Sequence, residues 1–194
     1  FSLQAPQGWQ VFGDQQGGSA TIVPSNGVNR TRGETEIVRG IMTGYFDAKG
    51  STSLAAATQN FIGDLRKTNS GLRQKPGDQK SLHVDGQPSQ SSFLEGPSRT
   101  IRGANESVWL ITTQRPQGLF YLAMISPTGE YGTLYPGFQA TLDSVRFSDA
   151  AVVAAPTAPA TPTAVAGIYT GQGFEMPYPT DWTAVTTQQG VGVR

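Results

Sequence analysis

The chain has no cysteine and a single histidine, His83, in 194 residues. Without thiols there is no disulfide and no thiolate metal site. The absence does not identify a compartment. One histidine cannot supply the matched His and carboxylate ligands of a hydrolytic zinc site. A His-based triad would have to use His83 itself, with no Gly-x-Ser-x-Gly elbow to serve it. We therefore read His83 as a surface or edge-strand residue. Charge is also scarce, at 14% Asp, Glu, Lys and Arg, and the two signs cancel to a net charge of zero. No broad basic face follows, which argues against nucleic acid as a partner. Arg30, Arg32 and Arg39 come closest, but Glu34 and Glu36 interleave with them, so they read as a solvated loop and strand edge. No apolar run approaches the ~20 residues of a membrane span, and no signal peptide is visible. There is no Walker loop and no calcium-loop spacing of carboxylates. Gly171-Gln172-Gly173 starts like a dinucleotide loop but lacks the third glycine and a preceding buried strand.

What is present is glycine (24), proline (13) and enough hydrophobic residues, 37%, to build a core. That composition suits a turn-rich sheet better than a helical bundle. The chain also repeats itself. Phe1, Leu3, Pro6 and Trp9 align with Phe174, Met176, Pro179 and Trp182 at a constant offset of 173, which also sets Gln15-Gln16-Gly17 on Gln188-Gln189-Gly190. One register holding an aromatic, an aliphatic, a proline, a tryptophan and a Gln-Gln-Gly is the signature of a repeated unit. Between the copies, Pro156, Pro159 and Pro162 recur every third residue among Ala and Thr. Each fixes φ near −65°, so the stretch reads as an extended spacer of ~3.1 Å per residue. The expected organisation is a complete domain over 1–148, a Pro/Ala/Thr linker over 149–167, and the start of a second copy over 168–194. That start either packs and pairs or is mobile; exposure of Phe174, Met176 and Trp182 favours packing. Because Phe1 already lies inside a patterned segment, the chain reads as a piece of a longer polypeptide.

Within the first copy, alternation predicts strands at Phe1–Ala5, Trp9–Phe12, Ala20–Val23 and Ile37–Phe46, with a polar loop over residues 25–35. Leu54, Ala57, Phe61, Ile62 and Leu65 fall on one helical face, with Ser51, Thr52 or Ser53 able to cap the start and Gly71 just beyond the end. Asp85-Gly86 between two alternating runs signals a hairpin, since the favoured two-residue turn needs positive φ. Glu106–Gln114 and Leu119–Ser126 form the most apolar pair, a central antiparallel hairpin. A second helix is expected from about Thr133 to Ser144, with Pro136 in its first turn, followed by a closing strand Val145-Arg146-Phe147. The fold class is α+β, an antiparallel sheet flanked by two amphipathic helices.

That element order, the opening Phe-x-Leu-x-x-Pro-x-Gly-Trp from Phe1 to Trp9, and the closing Leu142-Asp143-Ser144-Val145-Arg146-Phe147 resemble the PsbP-like fold over residues 1–147. The resemblance implies an α/β/α sandwich. The chain is also similar to the tandem C-terminal domains attached to bacterial HtpX-like zinc metallopeptidases. The residues that carry this likeness are the same opening motif, the Asn60-to-Gly71 helix end, Val84-Asp85-Gly86-Gln87-Pro88, and Trp109-Leu110-Ile111 before Leu119–Ile125. This likeness implies an extracytoplasmic setting and a peptidase parent whose His-Glu-x-x-His motif is absent here.

The function expected is a non-catalytic accessory module that contacts a protein or peptide; the alternative is a small-molecule or glycan-binding domain with a pocket between sheet and helix. No catalytic residue, cofactor or metal is expected. Asp64, Arg66, Asp78 and Glu95 would make a polar cleft only if the fold gathered them. Among the aromatic residues, Trp9 and Trp109 read as core anchors. Tyr131 and Tyr135, near the start of the second helix, are the weak surface-binding candidates.

Overall fold

The computed structural model describes residues 1–13, 18–31, 34–148, 165–171, 174–179, 184–187 and 190–193. Gln15-Gln16-Gly17, Arg32, Trp182 and residues 149–164 of the expected linker lie outside them. The chain divides into two units, Phe1–Asp149 and Ala150–Arg194.

In the first unit, alternating apolar residues build one eight-stranded antiparallel sheet from β1 (Gln10–Phe12), β2 (Ala20–Val23), β5 (Gly40–Phe46), β6 (Arg73–Gln74), β7 (Lys80–Val84), β8 (Gln87–Pro97), β9 (Asn105–Arg115) and β10 (Gly118–Pro127). The order is β1-β2-β5-β10-β9-β8-β6, with β7 also paired to β8. β3 (Val28–Thr31) and β4 (Glu34–Ile37) form a separate hairpin. This hairpin corrects the expected loop at 25–35. Its central pairs, Asn29 with Glu36 and Arg30 with Thr35, are all polar, so no apolar alternation announces it. The expected long strand from Ile37 is split accordingly: Ile37 ends β4 and β5 begins at Gly40. The expected opening strand is reduced to one bridge, in which Ser2 and Arg146 exchange backbone hydrogen bonds of 2.9 Å.

The period-2 rule separates the two cores. On β10, Phe120, Leu122 and Met124 face one side, where Phe138 and Leu142 of the chain's second helix and Val145 just beyond it complete a cluster with Ile22, Ile41 and Ile111. Leu119 and Ala123 face the other side and meet Ala57, Phe61 and Ile62 of α1 (Leu54–Thr68) together with Leu94 and Leu110. Ser53 caps α1, its hydroxyl accepting from the Ala56 amide at 3.2 Å. Each fully buried Val, Leu, Ile, Phe or Met side chain among these contributes about 1.5–3 kcal/mol through removal from water.

α2 runs Tyr131–Asp143 after a short 3-10 turn at Thr128–Glu130. Pro136 therefore sits in its second turn, not its first as expected, where the missing amide leaves the Gly132 carbonyl without its helical donor. At Asp85-Gly86 both residues have positive φ, 47° and 73°, as the expected two-residue hairpin demands. Gly71 plays a different part from the one expected. It has no positive φ; a Cβ there would lie 2.8 Å from Pro97 Cδ, and one at Gly96 would lie 2.5 Å from the Gly71 carbonyl oxygen. The glycines let the chain leaving α1 press against the end of β8.

In the second unit, β11 (Val165–Gly171) pairs β12 (Phe174–Pro179), and β13 (Ala184–Thr187) pairs β14 (Gly190–Val193). In the second hairpin Ala184 pairs with Val193 and Thr187 with Gly190.

Candidate functional site

Tyr131 and Tyr135 are four residues apart on α2 and so project from one face. Their ring centroids are 5.8 Å apart. Opposite them, the cross-strand partners Phe93 and Trp109 present their rings from β8 and β9. Tyr131 meets Phe93 edge-on at 5.1 Å, and Tyr135 lies over Trp109 at 5.4 Å and 30°. The rim is polar. The Trp109 indole donates to Ser91 Oγ at 2.8 Å, the Tyr135 hydroxyl donates to Gln139 at 3.0 Å, and Lys75 Nζ is 5.3 Å from the Phe93 centroid while pairing with Glu95 at 2.7 Å. The two tyrosines differ. Tyr131 is half-buried, and burial, aided by Tyr135, pushes its phenol up to about 12. Tyr135 is one of three large hydrophobic side chains that stand exposed among the described residues. Trp9 packs edge-on against Phe138 at 6.1 Å, so Trp9 and Trp109 both border the α2-side core.

On the other face, the end of α1, the β3–β4 hairpin and the loop before β9 border an open cavity of about 280 Å³. Its lining is apolar at Met42, Leu65, Leu72, Val108 and Ile125 and polar at Glu36, Asn69, Arg99 and Glu106. Arg99 pairs with Glu36 at 3.3 Å. Asn69, which caps the end of α1, donates to Glu106 Oε1 at 2.7 Å and to the Pro97 carbonyl at 3.0 Å, and accepts from the Gly71 amide. Burial raises the Glu106 pKa against the opposing pull of Asn69 and Arg99. Sequence reasoning did not single out this set. Glu36, Asn69, Arg99 and Glu106 come from four separate segments, and the local signal was the helix end at Asn69–Gly71.

The remaining candidates disperse. His83 is exposed on β7, beside a hollow that Asp85, Gln139 and Asp143 also line. Asp64 pairs with Lys67, Arg66 donates to the Leu72 carbonyl, and Glu95 pairs with Lys75; with Asp78 they form no common cleft. Arg39, expected to be solvated, grips Glu130 through two hydrogen bonds. Among the described residues no group of three or more His, Asp or Glu is placed to hold a metal, and no helix is long and apolar enough to cross a membrane.

No protein-family model matches the chain, and no curated protein matches it in sequence. Solved structures do. The chain is similar to cyanobacterial PsbP (CyanoP) from Synechocystis, at 11% identity over 72% of this chain and 92% of that one, with a TM-score of 0.44. It is similar to LpqN of Mycobacterium tuberculosis, a protein involved in cell envelope biogenesis, at 16% identity over 73% and 79% of the two chains, with a TM-score of 0.47. A mutant of the protein Mog1 aligns at 13% identity over 72% and 86%, with a TM-score of 0.49. The likeness is one of chain path, and nothing about activity or partners passes with it.

Proposed function

We propose that residues 1–148 are a non-catalytic protein-interaction module, an accessory domain of a longer exported or membrane-associated chain, and that the aromatic patch on α2 is its contact surface. The observation that carries this reading is the exposed Tyr135 ring set against Trp109. Rigid Tyr and Trp side chains with polar tips are the residues enriched at the energetic centres of protein interfaces.

Helix-backed cores on the two sheet faces support an α/β/α sandwich of the PsbP kind. The prolines of 149–167 and the repeat over 168–194 support a tandem array on a stiff spacer, which raises avidity through effective concentration. The Phe1-to-Trp9 opening and the Val84-to-Pro88 hairpin support an extracytoplasmic, HtpX-like zinc metallopeptidase as the parent. A His-Glu-x-x-His helix in the reading frame upstream of Phe1 is its test.

For the contact surface, the full chain is compared with Tyr135→Ala in capture of the parent enzyme's catalytic domain and substrates. The variant loses about tenfold or more in affinity, as hot-spot truncations do, at an unchanged melting temperature. Equal capture by both proteins would remove the patch from the proposal. A second reading, a small-molecule site, is favoured by the cavity beside α1.

A further inference from the structure

We infer that the cavity beside α1 binds a small organic monocation, a primary ammonium on an apolar stem of several carbons. This deepens the small-molecule reading and rests on it.

Size comes first. At about 280 Å³ the cavity falls just below the ~300–1,000 Å³ of drug-sized sites, so its occupant is little larger than one long side chain. The lining then divides the occupant into two parts. Leu65 and Leu72 from the α1 end, Met42 from β5, and Val108, Ala123 and Ile125 from the central strands offer an apolar surface, which takes hydrocarbon. Among the described residues the lining also holds Glu36 and Glu106 with one guanidinium, that of Arg99, a surplus of one negative charge. Arg99 reaches Glu36 at 3.3 Å. Glu106 Oε1 has the neutral amide of Asn69 at 2.7 Å. A half-buried carboxylate supported mainly by neutral donors gains a charge-assisted hydrogen bond from an arriving ammonium. An anion meets two carboxylates and is repelled. A neutral ligand of the same shape covers the apolar surface while further drying Glu106, at a cost in free energy. The cation alone satisfies both halves of the site.

The test titrates the full chain, followed by NMR shifts of the Leu65, Ala123 and Ile125 methyl groups at pH 7, with hexylammonium, 1-hexanol and hexanoate. The same titrations are made on Glu106→Gln, which retains the oxygen that accepts from Asn69. Hexylammonium is expected to bind about tenfold or more tightly than hexanol, the worth of one charge-assisted bond, and hexanoate more weakly than either. In Glu106→Gln the preference for the amine over the alcohol collapses while hexanol binding persists. If hexanol equals or exceeds hexylammonium in the unaltered chain, the cation assignment falls although the cavity still binds. If none of the three moves the cavity methyls, the small-molecule reading itself falls.

Discussion

Glu106 and Glu130 are carboxylates shifted in opposite directions, and pH separates them. Burial is the largest influence on Glu106 and raises its pKa. Its contribution to stability is full below the ordinary glutamate range and is lost as pH rises through the raised value. Glu106→Gln is therefore expected to raise the melting temperature at pH 7, with the difference shrinking as pH falls below ~4. Glu130 is lowered, chiefly by its hydrogen bonds from Arg39. Its contribution is present above the ordinary range and lost as pH falls through the depressed value. Glu130→Gln is expected to lower the melting temperature at pH 7 and to converge on the parent in acid. Thermal melts between pH 3 and 7 check both. Variants that moved in the same direction at pH 7 would contradict the assignment of burial as the dominant influence on Glu106.

At the scale of elements, helix α1 and the apolar hairpin β9–β10 were legible because their hydrophobic period, cap and turn residues agree. Leu54, Ala57, Phe61 and Ile62 face the sheet as their spacing implies. The β3–β4 hairpin was not legible, since polar residues pair along it. Nor was the cavity, since the spatial meeting of Glu36, Asn69, Arg99 and Glu106 depends on long-range topology. Tyr131 and Tyr135 could be placed at a helix start from sequence, but not opposite Phe93 and Trp109. Pro136 shows local preference overridden. A helix that continues through a second-turn proline is held by Tyr131, Phe138 and Leu142 packing against the sheet. Pro136→Ala restores the donor to the Gly132 carbonyl and is expected to stabilise the unit by about 1 kcal/mol or more, read from urea denaturation. A loss of stability would mean that the proline shapes the path of α2.

At the scale of the molecule, the described side chains of both cores lie within residues 1–147. A chain of residues 1–149 is expected to unfold in one cooperative step, at the same midpoint as the corresponding transition of the full chain. A broad or shifted transition in calorimetry would show that the first unit depends on the second.

The Ser2–Arg146 bridge brings the beginning and the end of the first unit side by side in antiparallel pairing. Tension applied through the two termini would reach these hydrogen bonds from the same end and open them in succession, like a zip, instead of shearing them all at once. The same proximity lets the ends be joined by a short peptide and new ends be cut at an exposed turn.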